Sequence, residues 1–241
     1  MDGGRVVKGV RFQDLRVVGD PAKAAATYEE QGADEVVILD VSASSQGRDT
    51  LIDTVRETAS QMTIPLTVGG GVRSAEDVYR LLRSGADRVA INTAAVLRPE
   101  VLREAADAFG SQCVVLAIDA KRSGSSWRVY SHGGHRETGL DVLDWAEKGE
   151  ALGAGEFLVT SMDRDGTHDG YDLDLYRSLR SRTSRPIIAS GGCGSPLHIL
   201  QALRENAADA ALVASVLHDN QLTIGGIKQF LRENGVSVRM S

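Results

Sequence analysis

The chain has 241 residues, 42% hydrophobic and 25% charged, with a formal net charge of −6. That length and composition suit a globular protein able to bury a sizeable core, and the acidic balance argues against a broad nucleic-acid-binding face. No apolar run reaches the ~18 residues of a membrane span, no signal peptide opens the chain, and Cys113 and Cys193 lack metal-ligand spacing; reduced thiols in a cytoplasmic protein are expected.

The opening MDGGRVVKG reads as a tight turn followed by a strand at Arg5-VVKG. Asp20-Pro21 then supplies an N-cap and a proline at the first helical position for a helix over Ala22 to Gln31. Short apolar runs follow at regular intervals: Glu35-VVILD, Ile64-PLTV, Arg88-VAIN, Cys113-VVLAID, Glu156-FLVTS, Pro186-IIAS and Ala210-ALVAS. Runs of four to seven apolar residues are the mark of parallel strands buried on both faces. Between them lie amphipathic stretches at Ala75 to Ser84 (after Ser74, with Asp77 as a capping-box variant), Arg98 to Phe109, Leu140 to Leu152, Asp172 to Arg182 and Pro196 to Glu205. Strands alternating with helices predict a parallel α/β sheet.

An internal repeat decides how that sheet closes. IPLTVGGGVRSAEDVYRLLRSGADRVAINTAAV from Ile64 aligns with RPIIASGGCGSPLHILQALRENAADAALVASVL from Arg185. Gly70 and Gly71 match Gly191 and Gly192, Asp87 matches Asp209, and Thr93 matches Ser215. The preceding units match too, GADEVVILDVSAS from Gly32 with GAGEFLVTSMDRDG from Gly153. Two similar halves, near 1–110 and 111–241, predict one (β/α)8 TIM barrel with a two-fold half-barrel repeat. The strand that should mate with Cys113-VVLAID in the first half is missing from the sequence, so seven full strands are expected.

The repeat also places two chemical motifs. Gly69-Gly70-Gly71 ends one strand and Gly191-Gly192 its mate; Asn92-Thr93 and Ala214-Ser215 end the strands that follow. Glycines let backbone N–H groups approach an anion closely. One such pair could serve only a tight turn, but two at matching positions favour two phosphate cups facing each other across one mouth. A ligand with a phosphate at each end fits that arrangement. Asp119 closes an apolar strand, where a barrel presents its catalytic groups. Thr160 and the segment Met162-Asp163-Arg164-Asp165-Gly166-Thr167 close another, offering acids and hydroxyls to substrate, although Asx turns could account for one aspartate. Asp40 closes a third. The five histidines show no metal spacing; His132 and His135 flank a Gly-Gly turn and are expected in solvent. No pair has the context of a nucleophile elbow.

The stretches DGGRVVKG, LDVSAS, TVGGGVRSAEDV, GADRVAINTAA, FGSQCVVLAIDAKR, TSMDRDGTHDGYD, IASGG and ENGVSVR together resemble the cyclase subunit family of imidazole glycerol phosphate synthase, over essentially the whole chain. The sister isomerase of histidine biosynthesis shares the barrel but typically has IGTAA where this chain has Ile91-NTAA. The resemblance implies a lyase-type cyclisation of a bis-phosphorylated ribulosyl intermediate with ammonia, giving imidazole glycerol phosphate and AICAR. It implies a glutaminase partner as a heterodimer at the opposite, N-terminal face, with no metal or organic cofactor. It assigns Asp119 as one catalytic aspartate, and substrate or phosphate contacts to Lys8, Gly70, Gly71, Asn92, Thr93, Thr160, Asp165, Gly166, Gly191, Gly192, Ala214 and Ser215. Glu35, Arg88 and Glu156 match the family's ammonia gate, with arginine in place of the usual lysine, and Asp87 and Gln112 match residues facing the glutaminase. The family's first catalytic aspartate would fall one residue before Met1, with Asp2 at a later, non-essential position. A chain beginning at Met1 is expected to carry an unpaired sheet edge and to lose roughly 10²–10⁴ in rate with one of its two proton-transfer groups. A barrel cyclase for surface-sugar amidination, the sister isomerase, and a non-catalytic scaffold are the alternatives; ammonia-dependent turnover would eliminate the scaffold.

Overall fold

The computed structural model describes residues 1, 3–10, 13–40, 52–204 and 207–240. An antiparallel hairpin comes first, β1 (Val6–Val10) with β2 (Gln13–Gly19). Then strands and helices alternate: α1 (Pro21–Glu30), β3 (Val36–Leu39), α2 (Ile52–Ser60), β4 (Leu66–Gly69), α3 (Ala75–Arg83), β5 (Arg88–Ile91), a short α4 (Thr93–Leu97) and α5 (Glu100–Phe109). The second half runs β6 (Val114–Ser123), an antiparallel arm of β7 (Ser126–Ser131) and β8 (Arg136–Asp141), α6 (Val142–Ala151), β9 (Glu156–Ser161), α7 (Leu173–Arg180), β10 (Ile187–Ser190), α8 (Pro196–Arg204), β11 (Ala210–Ala211), a short α9 (Ser215–His218) and α10 (Ile224–Glu233).

The helices begin where side chains satisfy their free amides. Asp20 accepts from the Lys23 amide at 3.0 Å ahead of Pro21, and Ser74 accepts from the Asp77 amide at 3.2 Å. Asp77 reaches back to the Arg73 amide at 2.9 Å, one residue earlier than a standard capping box. Three expected boundaries shift for local reasons. The helix expected from Leu140 starts at Val142, because Leu140 and Asp141 complete β8 and Asp141 then caps the helix through Leu143 N at 2.9 Å. The helix expected from Arg98 starts at Glu100, after Pro99. The last strand is only Ala210–Ala211, with the Leu212 amide still donating to the Ala189 carbonyl at 2.8 Å and the backbone turned at Ala214 (φ −131°, ψ −73°).

Seven strands pair in parallel in the order β11-β10-β9-β6-β5-β4-β3, curling as a (β/α)8 barrel does. Side chains alternate between two cores. Ile38, Leu66, Val68, Val89, Leu116, Phe157 and Ile187 face outward and pack under the helices in one extended cluster. Ala90, Val115, Leu158 and Ile188 face inward, with Val37, Leu39, Ala117 and Leu212 against them.

β3 and β11 are the edges of this sheet among the described residues. Met1 is buried there, and its nitrogen donates to the Leu39 carbonyl at the end of β3. The helical layer bridges the seam: Tyr28 on α1 bonds His218 on α9 (2.6 Å), Gln31 accepts from the Ile224 amide (3.3 Å), and Lys228 on α10 donates to Asp34 (2.7 Å).

The repeat is visible in the backbone. Gly70 and Gly71 have φ +94° and +73°; Gly191 and Gly192 have +91° and +100°. Asn92 (φ −120°, ψ −83°) and Ala214 adopt nearly the same geometry. Asp87 accepts from the Leu66 amide and Asp209 from the Ile187 amide, both at 2.8 Å, so each carboxylate ties the start of one strand to the next.

Candidate active site

At the C-terminal ends of the strands, alternation turns Asn92, Asp119, Thr160 and Ser190 to the inner face beyond the inward core. Asp119 and Thr160 are register partners across β6 and β9. Asp119 as a residue is half-buried with its carboxyl turned in, accepting from Asn92 Nδ2 at 2.9 Å. Burial pushes its pKa up to about 7, the charge of Asp165 pushes in the same direction, and the Asn92 hydrogen bond pulls against both. A carboxyl in that range is populated in both protonation states at neutral pH, as a general acid or base must be. The Asn92 amide also reaches the Tyr130 carbonyl at 3.3 Å, while its Oδ1 is buried without a partner.

The glycine turns are forced by crowding. A Cβ on Gly70 would stand 2.2 Å from the Asp40 carbonyl oxygen; on Gly192, 2.2 Å from that of Gly170; on Gly191, 2.7 Å from that of Ser161. β4 pairs with β5, so Gly70-Gly71 lies beside Asn92-Thr93; β10 pairs with β11, so Gly191-Gly192 lies beside Ala214-Ser215. The loop after β9 backs the second turn, with the Asp165 amide bonded to Ser161 O (2.9 Å) and Gly166 at φ +71°. Two related glycine turns therefore end β4 and β10, in the same sheet as the β6 strand that carries Asp119. Asp40 is buried, its amide on the Gly69 carbonyl at 2.8 Å. Lys8 lies on β1, with its side chain outside the described set, and Asp2 is outside it altogether.

His132 departs from expectation. It is half-buried rather than solvated; its amide donates to Thr93 Oγ1 at 2.9 Å and its Nδ1 lies 2.9 Å from Ser131 Oγ. The segment RETGLD has no alternating pattern, so β8 and the contacts of its arm had no signal in the sequence.

At the other end of the strands, Arg88 Nη1 meets Glu35 Oε2 at 2.7 Å and its Nε lies 3.6 Å from Glu156 Oε2. Thr67 donates to the other oxygen of Glu35. Glu156 has a raised pKa: burial is the main cause, Arg88 opposes it, and Glu35 and Asp209 add to it. Gln112 is exposed and bonds the Phe109 carbonyl at 3.1 Å. Both thiols are free, and no cluster of His, Cys, Asp and Glu among the described residues could hold a metal. No described helix is long and apolar enough to cross a membrane.

Fold and site together define a two-fold repeated α/β barrel with matching left-handed glycine turns at the C-terminal ends of β4 and β10 and Asp119 at the end of β6. The sequence pattern described as "Histidine biosynthesis protein" matches residues 1–223. Curated relatives called imidazole glycerol phosphate synthase subunit HisF are 55% identical over 236 residues in Metallosphaera sedula and 56% over 237 in Myxococcus xanthus, each alignment covering 98% of this chain and 94% of the relative. The HisF of Nocardia farcinica is 55% identical over 246 residues, covering 99% and 95%. The chain belongs to the histidine biosynthesis protein family.

Proposed function

We propose that the protein is the cyclase subunit of imidazole glycerol phosphate synthase, acting in histidine biosynthesis. It takes ammonia and phosphoribulosyl-formimino-AICAR-phosphate to imidazole glycerol phosphate and AICAR. The observation that carries this reading is the pair of two-fold related cups with Asp119 between them. A substrate with a phosphate at each end is held by Gly71, Asn92 and Thr93 on one side and by Gly192, Ser215 and the Gly166 loop on the other. That span fixes the reacting carbons over Asp119, which passes protons between them; Thr160 and Asp165 border it.

Ammonia enters from the far end. The Glu35–Arg88–Glu156 cluster is the entrance, and the inward core residues, among them Ala90 and Ala117, line a route to the mouth. A glutaminase subunit docks there as a heterodimer partner, over Asp87 and Gln112. Localisation in the cytoplasm follows from this reading. Relatives named HisF at 53–56% identity support it over the sister isomerase and the sugar-amidinating cyclase.

Loss of absorbance of the bis-phosphate intermediate in excess ammonia tests the reading. Turnover is expected with this chain and is expected to drop roughly 10²–10⁴-fold in Asp119→Asn. Turnover unaffected by that substitution would remove Asp119 from the mechanism. No conversion, with no binding of the intermediate, would reject the assignment.

A further inference from the structure

The arm of β7 and β8 leans on the first cup rather than standing in solvent. Two hydrogen bonds pin it there: the His132 amide to Thr93 Oγ1 (2.9 Å) and Asn92 Nδ2 to the Tyr130 carbonyl (3.3 Å). The tip of the arm is a run of three left-handed residues, His132 (φ +56°), Gly133 (+63°) and Gly134 (+82°). Glycine would hold that geometry at least cost at all three positions, and the first carries an imidazole instead.

The ring's own contacts say which nitrogen is available. Ser131 Oγ, on a residue only 1% exposed, lies 2.9 Å from His132 Nδ1 and 3.4 Å from the Arg136 carbonyl. Whichever way that hydroxyl points, Nδ1 is occupied, so Nε2 is the nitrogen left to meet a ligand. Thr93 Oγ1 accepts from the His132 amide, which leaves its own proton free to donate into the cup. Resting on the phosphate-cup reading above, we infer that His132 is a side-chain ligand of the first cup, donating from Nε2 to the phosphate that Gly71, Asn92 and Thr93 hold. A charged donor at one cup gives it a preference for the dianionic end of a phosphate monoester that backbone amides alone do not supply.

The charged groups on the strands of the arm and its neighbour are Asp119, Lys121 and Arg122 on β6, Arg128 on β7, and Arg136, Glu137 and Asp141 on β8; Lys121 sits over the Tyr130 ring and Glu137 accepts from the Tyr130 hydroxyl. A bound phosphate adds negative charge to this set and favours the imidazolium.

The test is an NMR titration of 15N-histidine-labelled protein with inorganic phosphate, beside His132→Gly, His132→Asn and Thr93→Val. His132→Gly removes the ring while relaxing the left-handed backbone, and His132→Asn keeps a residue that tolerates it. Phosphate is expected to shift the His132 Nε2 resonance. His132→Gly is expected to weaken phosphate binding roughly 10- to 100-fold and to raise KM by a similar factor, with kcat within about threefold. His132 signals indifferent to phosphate, or His132→Gly binding phosphate like the parent, would overturn the assignment. If Thr93→Val loses phosphate while His132→Gly does not, the cup stands without the imidazole. If Thr93→Val also binds as the parent does, the cup reading fails and this inference fails with it.

Discussion

Asp119 is the side chain at which position and chemistry meet. Its place at the end of β6 turns it inward, burial lifts its pKa to about 7, and Asp165 keeps the proton there. The unfolded chain gives the same group a pKa near ~3.9. The folded state thus holds the proton more tightly, so stability falls as pH rises from about 4 through 7, and the full cost of the buried carboxylate is present above that range. Asp119→Asn removes a group that ionises. Its Tm is therefore expected to exceed the parent's at pH 8 and to match it at pH 4, while turnover collapses at both. Thermal melts at the two pH values check this; an asparagine variant less stable at pH 8 would mean that the Asn92 hydrogen bond outweighs the burial of charge.

The helices and strands were largely written in their periodicity, and the turns between them in their glycines. Gly70 and Gly124 separate two reasons for glycine. Both have positive φ, +94° and +61°, but a Cβ on Gly124 meets nothing within 4 Å, whereas on Gly70 it meets the Asp40 carbonyl oxygen at 2.2 Å. Gly124→Ala is expected to cost about 1 kcal/mol from backbone strain, and Gly70→Ala at least ~2 kcal/mol more because main chain must move. Urea midpoints at constant m would show it; equal losses would mean that the β4 turn yields easily. Gly70 was legible as a special position because its mate recurs at Gly191. The β8 strand was not, since RETGLD carries a single apolar side chain, Leu140, with no alternation, and becomes a strand only by pairing with β7. The half-buried setting of His132 is hidden for a related cause: a Gly-Gly turn signals a loop tip, not what the tip leans against. The inward place of Asp119 was legible because a lone acid closing an apolar strand stands out from the pattern. Glu35, Arg88 and Glu156 could not be separated from an ordinary polar rim by pattern alone, and only the family resemblance grouped them.

Across the whole molecule, the two ends of the barrel carry different electrostatic problems joined by one interior. Arg88 is the cation holding two carboxylates together at the N-terminal end of the strands, and it cannot shed its charge as a lysine can. Arg88→Gln leaves Glu35 and Glu156 facing one another, so the raised pKa of Glu156 is expected to rise further. The penalty is present above that pKa and relieved as pH falls and Glu156 takes a proton. With side chains 31%, 23% and 18% exposed, solvent screens the loss to about 1–2 kcal/mol at pH 8, shrinking toward pH 5. The mouth is not altered by this change. Turnover in saturating free ammonia is therefore expected to stay within about threefold of the parent, while turnover driven by glutamine and the glutaminase subunit is expected to fall at least tenfold. Steady-state assays with the two nitrogen sources, run side by side on the same protein, measure that split. An equal loss with both sources would place the effect of Arg88 on the strands that carry Asp119 and the cups, and would detach the entrance cluster from ammonia transfer.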